Sequence, residues 1–251
     1  MRFAGLDMGS RSIELVVLEG NQIVLKRQAD SEFDPLAQAK KLLENVEHNH
    51  IVATGYGRRL AEKELRAETV TEIKAYAVGA HFLFPQARAV LDIGGQDSKA
   101  IALDEDGKIL KFEMNDKCAA GTGKFLEIMA QTLGYELAEL GREALRCGKE
   151  IKINSMCTVF AESEVTSLIN TGHDRRDIAM GLHRSIARRS SGMLKRVMRQ
   201  GPILFAGGVA RNVCMVHLIR EAFDCDILIP DDPQIVGALG AAILGSMSKA
   251  N

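Results

Sequence analysis

The chain has 251 residues, enough for one large domain or two compact ones, each with its own buried core. With 46% hydrophobic and 26% charged residues, its composition is that of a folded globular protein. The 32 Lys and Arg residues nearly balance the 33 Asp and Glu residues, which argues against a broad basic surface for nucleic acid or an anionic membrane. The sequence has no leader-like segment and no run of ~18 apolar residues, so we expect a cytoplasmic protein.

Strands and turns near the start of the chain follow an order that returns later. A strand from Arg2 runs into the turn Asp7-Met8-Gly9-Ser10, and a hairpin over 12–28 follows. The same order returns with a strand at 89–92, the turn Gly94-Gly95-Gln96-Asp97 and a hairpin over 98–114. The two copies start 85 residues apart, counting from Asp7 to Asp92. This pattern indicates an internal duplication in which each copy begins one α/β domain.

The rest of the chain alternates helical and strand patterns. Strands are predicted at 51–53, 203–206 and 226–229, and helices at 35–44, 69–81, 122–133, 136–147, 158–170, 174–200 and 233–248. We expect two similar domains, 1–86 and 87–251, facing each other across a cleft. The final helix is expected to pack back on the first domain.

Three glycine turns follow predicted strands. Gly9-Ser10, Gly94-Gly95 and Gly207-Gly208 offer backbone N–H groups with little or no side chain in the way, as close approach to phosphate oxygens requires. Asp7 and Asp92 end the preceding strands, where carboxylates suit a hydrated Mg²⁺ that bridges nucleotide phosphates. The alternative is that these glycines only turn the chain.

A Walker A loop is not present. The candidate Cys118-Ala-Ala-Gly-Thr-Gly123-Lys124 lacks its first glycine and has Phe125 where a Ser or Thr should hold the metal. A P-loop enzyme is therefore disfavoured.

The five cysteines are odd in number and irregularly spaced, which argues against a disulfide framework. Without a Cys-x-x-Cys pair, a zinc site within one chain is also disfavoured. Cys118 and Cys157 each precede a predicted helix, where unpaired N–H groups favour thiolates and anionic groups. The remaining cysteines have apolar neighbours and are interpreted as small buried side chains: Cys147, Cys214 and Cys225.

Several motifs together resemble known families. The three glycine turns, the last of which reads Gly207-Gly208-Val209-Ala210-Arg211-Asn212, resemble the first phosphate, second phosphate and adenosine motifs of the actin, sugar kinase and Hsp70 ATPase superfamily. Three longer motifs resemble the ATP-dependent activators of 2-hydroxyacyl-CoA dehydratases, a group that includes the benzoyl-CoA reductase ATPase subunits. These motifs are Ala53-Thr-Gly-Tyr-Gly-Arg58, Asn115-Asp-Lys-Cys-Ala-Ala-Gly-Thr-Gly123 and Cys157-Thr-Val-Phe-Ala-Glu-Ser-Glu164.

This resemblance implies a duplicated RNase H-like fold and a homodimeric ATPase that holds one [4Fe–4S] cluster between its protomers. Such a protein takes an electron from ferredoxin or flavodoxin and uses ATP hydrolysis, with ADP as product, to drive it into an iron–sulfur dehydratase or reductase. Cys118 and Cys157 would bind the cluster. Since a cubane cluster usually takes four thiolates, a two-fold axis through it would complete the set.

The same interpretation gives roles to the cleft residues. Asp7 and Asp92 organise Mg²⁺, and Gln96 positions the attacking water, with Asp97 as its competitor. The nucleotide is held by Gly9, Ser10, Arg11, Ser12, Gly94, Gly95, Gly121, Gly123, Gly207, Gly208, Ala210 and Asn212.

One motif departs from the family pattern. Relatives commonly continue the first turn as Gly-Ser-Thr-x-Ser/Thr-Lys, whereas this chain has Arg11 and Glu14 in place of that Thr and Lys. The first-turn contacts therefore stay open. A small-molecule kinase of the same superfamily and a non-redox ATP-dependent scaffold remain alternatives. The histidines His173, His183 and His217 are expected to be solvated or capping.

Overall fold

The computed structural model describes residues 1–154, 157–198 and 201–250. In the first part of the chain, the elements in order are β1 (Arg2–Met8), β2 (Ser12–Glu19), β3 (Gln22–Asp30), α1 (Pro35–Leu43), β4 (His50–Thr54), α2 (Arg58–Leu65), β5 (Glu68–Thr69) and α3 (Glu72–Leu83).

The second part begins with another hairpin and continues through a longer set of helices. Its elements are β6 (Ala89–Ile93), β7 (Ser98–Leu103), β8 (Ile109–Asn115), α4 (Gly123–Leu133), α5 (Leu137–Ala144), α6 (Thr158–Asn170), α7 (Arg175–Val197), β9 (Ile203–Ala206), a 3-10 turn (Gly208–Arg211), α8 (Val213–Ala222), β10 (Ile227–Leu228) and α9 (Val236–Ala250).

The two five-stranded sheets repeat one topology. The first has the order β3-β2-β1-β4-β5 and the second, β8-β7-β6-β9-β10. In each, the first three strands pair antiparallel, the fourth pairs parallel to the first, and the fifth pairs parallel to the fourth. Each outer hairpin has a register shift, between Val17 and Leu18 in one sheet and between Ala102 and Leu103 in the other. These shifts are also 85 residues apart, counting from Val17 to Ala102, so the predicted duplicated α/β fold is confirmed.

Helix α9 crosses back to the first sheet. It packs on β1, β2 and α3, and its side chains share an apolar cluster with Val16 and Leu18. Close backbone contact requires glycine here: a Cβ on Gly5 would collide with the backbone of α9, and one on Gly240 with the Ala75 carbonyl of α3. The last helix therefore joins the first sheet to α3.

Helix α2 and strand β5 were not predicted, and several helix ends differ from the predicted ones by one to three residues. Helix α2 has Ala61 as its buried residue, so its apolar periodicity is too weak to detect. Helix α3 begins at Glu72 rather than 69, because Thr69 pairs with β4 and Thr71 caps the helix. Helix α7 ends at Val197; Arg199 and Gln200, which the sequence assigned to it, lie outside the described residues.

No helix among the described residues combines the length and apolarity needed to cross a membrane.

Candidate functional site

A cleft of about 860 Å³ lies between the two halves of the chain. The ends of β1 and β6 open into it, so Asp7 and Asp92 both line its wall. All three glycine turns contribute as well. Of the predicted nucleotide contacts, the cleft brings together Gly9, Ser10, Arg11, Ser12, Gly94, Gly95, Gly123, Gly207, Gly208 and Asn212.

Three of the residues predicted for the nucleotide site do not line this cleft. Gln96 is exposed at the tip of the second turn, whereas its neighbour Asp97 is buried and faces the cleft. Gly121 lies against the Arg189 side chain, and Ala210 is buried within the 3-10 turn. Their functional roles stay predictions. For Gln96, approach to a bound phosphate would require its side chain to turn inward.

The two strand-end carboxylates sit in equivalent surroundings. Gly55 follows β4 with φ 88° and Gly207 follows β9 with φ 81°, a backbone region that favours glycine. A Cβ on Gly55 would lie 2.5 Å from Asp7 Oδ1, and one on Gly207 would lie 2.5 Å from Asp92 Oδ1. In each half, glycine after the neighbouring parallel strand thus leaves room for the aspartate.

A buried lysine organises the second half of the cleft. Lys99 is 1% exposed, and its Nζ lies 3.0 Å from Asp92 Oδ2, 2.7 Å from Asp97 Oδ2 and 3.3 Å from Glu72 Oε1. The carboxylates raise the pKa of Lys99 well above its ordinary value despite the opposing effect of burial. Desolvation by burial raises the pKa values of Asp92 and Glu72, and Lys99 partly counteracts it. The ammonium is therefore the fixed positive charge of this cluster.

The first half has a carboxylate at the equivalent position. In the β1–β2 pairing Glu14 lies opposite Asp7, as Lys99 lies opposite Asp92 in β6–β7. Burial raises the pKa of Glu14 to about 7, partly offset by hydrogen bonding from Ser12 and Gln234. Burial first, and then the charge of Glu14, raise the pKa of Asp7 well above its ordinary value. This side of the cleft is short of positive charge.

These carboxylates fit a divalent cation that also binds a phosphate ligand. Asp92 Oδ1 is fully buried and accepts no hydrogen bond from the described residues. Asp7 is 4% exposed and lines the same cleft, and hard carboxylate oxygens are the ligands that Mg²⁺ prefers. Within the described ranges, no cluster of three or more His, Cys, Asp or Glu side chains has the spacing to hold a metal alone. A cation here would need further oxygens from its ligand or from water.

Asn212 is held in place by His183, which was expected to be solvated or capping. His183 is fully buried, so that expectation was wrong; burial lowers its pKa to about 4, which leaves the ring neutral. Because the Ala179 carbonyl, 2.7 Å away, can only accept, Nδ1 donates to it, and Nε2 accepts from Asn212 Nδ2 at 3.0 Å. Asn212 Oδ1 in turn accepts from the N–H groups of Cys214 and Met215 and caps α8.

The two candidate cluster ligands lie outside the cleft. Cys157 directly precedes α6, whereas Cys118 lies in the loop between β8 and α4, five residues before α4 begins at Gly123. Cys157 is exposed and caps α6 with its backbone, since its carbonyl accepts the Ala161 N–H. Cys118 is half-buried, and Arg189 Nη1 lies 3.9 Å from its Sγ. Helices α4 and α6 pack against each other. Accessible soft sulfur ligands beside a guanidinium suit an anionic iron–sulfur group, but two thiols cannot complete its shell within one chain.

The remaining cysteines differ in burial. Cys214 is buried, and burial raises its pKa to about 12, as expected for an inert core thiol. Cys147 and Cys225 are half-buried and pack against the same core.

Backbone hydrogen bonds connect the second glycine turn to the segment that contains Cys118. The Gly123 N–H donates to the Gly94 carbonyl at 2.9 Å, and the Lys124 N–H to the Gly95 carbonyl at 2.8 Å. Both donors belong to the first turn of α4, directly after the segment 115–122. A shift of the second turn would therefore be transmitted to this segment through rigid backbone contacts.

Several cleft residues were missed by sequence reasoning. Glu14 and Lys99 were detectable, since each is a charge within an otherwise apolar strand. Glu72 and Tyr76 reach the cleft from α3 and Gln234 from the loop before α9, and their sequence context carries no comparable signal.

A family model covers almost the whole chain. The BadF/BadG/BcrA/BcrD ATPase family matches residues 4–245. The chain belongs to this family. Among curated relatives, the 2-hydroxyisocaproyl-CoA dehydratase activator of Clostridioides difficile is 38% identical, over 95% of this chain and 92% of its own length. A component of the benzoyl-CoA reductase of Thauera aromatica is 31% identical, over 97% of this chain and 92% of its own length.

Solved structures of BadF/BadG/BcrA/BcrD-type relatives agree with the fold. The (R)-2-hydroxyglutaryl-CoA dehydratase component A of Acidaminococcus fermentans superposes with a TM-score of 0.92 at 36% identity, covering 100% of both chains. The Clostridium difficile activator, solved with bound ADPNP, gives 0.90 at 38% identity, covering 100% of this chain and 96% of that one. A glucokinase from Streptomyces griseus, at 13% identity and a TM-score of 0.61, shares the fold alone.

Proposed function

We propose that this chain is an ATP-hydrolysing iron–sulfur activator that delivers low-potential electrons to a partner iron–sulfur enzyme. The partner would be a 2-hydroxyacyl-CoA dehydratase or a related double-cubane reductase. The observation that carries the proposal is the pair of backbone hydrogen bonds from Gly123 and Lys124 to the second glycine turn. They link a candidate phosphate turn to the segment that contains Cys118.

In this proposal ATP or ADP binds with Mg²⁺ in the cleft. The first turn (Gly9 to Ser12) and the second (Gly94-Gly95) hold phosphates through backbone N–H groups, and the third turn and Asn212 contact the nucleoside. Asp7 and Asp92 contribute carboxylate oxygens on the cation side, while Lys99 keeps Asp92 and Asp97 in position. Gln96 or Asp97 orients the attacking water. The cleft itself supplies positioning and charge, as phosphoryl transfer requires.

A [4Fe–4S] cluster would be held by Cys118 and Cys157 from each of two chains related by a two-fold axis. When bound, such a cluster supplies one-electron transfer at a potential set by its ligands and surroundings. Arg189, 3.9 Å from the Cys118 sulfur, places positive charge beside the cluster site. The electron donor would be ferredoxin or flavodoxin, and a cluster shared at an interface would make the cytoplasmic homodimer sensitive to oxygen.

Coupling would follow from the movement of domains 1–86 and 87–251 around the nucleotide. Closure that shifts Gly94 and Gly95 would pull on the first turn of α4 through the Gly123 and Lys124 N–H groups. The segment 115–122, which precedes that turn, would move with it and change the surroundings of Cys118.

The first test is the iron content of anaerobically purified protein. Wild-type chain is expected to be a brown dimer, and both Cys118→Ala and Cys157→Ala should lose iron and colour. Cys147→Ala, which changes a half-buried cysteine outside the site, is the matched control and should keep them. Colourless wild-type protein without iron after anaerobic reconstitution would contradict the redox proposal and leave the kinase or scaffold alternatives.

The second test addresses coupling. The rate at which a chelator removes iron, and the midpoint potential of the cluster, are expected to differ between the ADP-bound and ADPNP-bound dimer. Identical values in the two nucleotide states would contradict coupling even if the protein contains the cluster.

A further inference from the structure

Arg11 spans the cleft from the first glycine turn to the second half of the chain. Its side-chain carbons occupy the space that a Cβ on Gly95 would need, so the arginine lies directly on the second turn. Its Nη2 lies 3.3 Å from Glu127 Oε2 on α4. Both side chains line the cleft between the turns. This ion pair joins the first turn to the helix that begins just after the Cys118 segment.

Glu127 is shared between two cations. Its other oxygen, Oε1, lies 3.3 Å from Lys124 Nζ, one helical turn away. The Glu127 side chain is 20% exposed and that of Arg11 is 52% exposed, so solvent screens their pair and makes it weak. Glu127 can therefore release Arg11 and keep Lys124 as its partner.

A phosphate between the two glycine turns would compete with Glu127 for this guanidinium. Phosphate carries more charge than a carboxylate, and arginine binds it through two parallel N–H donors. Lys99 is already paired with three carboxylates, whereas Arg11 belongs to the first turn, lies on the second and has only a weak partner, so it can change partner.

We propose that Arg11 is a phosphate-sensing residue that exchanges Glu127 for the terminal phosphates of the bound nucleotide. This inference rests on the proposed function, since it takes the cleft ligand to be ATP or ADP. It deepens that function by assigning the signal to one side chain. When Arg11 releases Glu127, α4 loses a contact with the first glycine turn. Binding and loss of the terminal phosphates therefore affect α4 through Arg11 as well as through the backbone hydrogen bonds.

The test is a double-mutant cycle read by equilibrium ADPNP binding at fixed Mg²⁺. Arg11→Gln is expected to weaken binding about three- to tenfold, because a charged phosphate contact is lost. Glu127→Gln is expected to tighten binding about two- to fivefold, because Arg11 no longer has a competing partner. In the double variant the benefit of Glu127→Gln should vanish, so that its dissociation constant equals that of Arg11→Gln. Adenosine, which lacks phosphates, should bind all four proteins equally.

Two controls separate this exchange from simpler effects. Glu127→Gln in a Lys124→Gln background should still tighten binding; loss of the effect there would assign it to Lys124 and overturn the proposal. Equal tightening by Glu127→Gln with and without Arg11 would also overturn it, since that result reflects charge removal alone. Thermal unfolding and circular dichroism confirm that each variant is folded. Failure of the wild-type chain to bind ADPNP would contradict the proposed function itself, whereas binding with additive effects contradicts only the role of Arg11.

Discussion

Glu14 makes the stability of this protein dependent on pH near neutrality. The side chain is 4% exposed, faces Asp7 across the β1–β2 pair, and also feels the charges of Asp232 and Asp92. Its hydrogen bonds with Ser12 and Gln234 favour the ionised form, but desolvation is larger and raises its pKa from 4.5 to about 7. The folded protein therefore holds a proton that the unfolded chain would release.

The direction and size of the effect follow from this difference. Below pH 4.5, Glu14 is protonated in both states and costs nothing. As pH rises from there through about 7, the unfolded chain ionises first, so the free energy of unfolding falls with increasing pH. A shift of this size corresponds to a loss of about 3 kcal/mol, a large fraction of the 5–15 kcal/mol typical of a domain.

The comparison of interest is Glu14→Gln with wild type in urea unfolding at pH 5, 6, 7 and 8. The amide keeps the size and an acceptor for Gln234 but cannot ionise, so the stability of the variant relative to wild type should rise from pH 5 to about 7 and level off above it. Glu14→Lys, which copies the position of Lys99 opposite Asp92, should also remove the loss at high pH. The exposed Glu105→Gln serves as control and should run parallel to wild type. Parallel curves for Glu14→Gln and wild type would refute the reasoning.

Three further changes test other parts of the structure. Lys99→Met keeps the side-chain volume but leaves three carboxylates without their cation. It should lower the free energy of unfolding in urea by about 3–5 kcal/mol, and by more at pH 8 than at pH 5. A cost that does not change with pH would contradict the charge network. Gly240→Ala should cost at least about 2 kcal/mol because its Cβ meets the α3 backbone. Gly192→Ala, whose Cβ would lie at ordinary contact distance, 3.7 Å, from Arg196 Nη1, should gain about 0.5–1 kcal/mol; similar thermal shifts for both would refute the packing argument. His183→Leu leaves the Asn212 amide without its acceptor and should cost about 1–3 kcal/mol and weaken ADPNP binding; unchanged affinity would show that Asn212 holds its position alone.

The fold was predictable because the same order of strands and turns occurs twice in the sequence. Hairpins that follow Asp7 and Asp92 at the same spacing indicated the first three strands of each half, and the apolar runs marked the buried strands. What could not be predicted are elements with little burial. Helix α2 and the two-residue strand β5 depend on contacts with β4 and carry no pattern of their own.

The site was predictable where backbone geometry decides it. Glycine turns after strands carry a local signal, and the structure brings them to one cleft. Side-chain burial depends on packing between elements that are distant in the sequence. His183 was therefore expected at the surface, although it is buried in α7, which packs against α8. For the same reason, the sequence of the second glycine turn did not show that Gln96 is exposed while Asp97 lines the cleft.

The two halves have the same backbone but opposite charge at one equivalent position. Asp92 is balanced within the protein by Lys99, and the pair is rigid because Lys99 also holds Asp97 and Glu72. Asp7 faces Glu14 instead, so its desolvation has no comparable local compensation. A cation or a proton must therefore offset the charge on the Asp7 side, whereas on the Asp92 side Lys99 offsets part of the charge of Asp92, Asp97 and Glu72. Because ionisation of Glu14 adds negative charge beside the Asp7 carboxylate proposed to bind Mg²⁺, cation binding in this cleft should strengthen as pH rises through the pKa of Glu14.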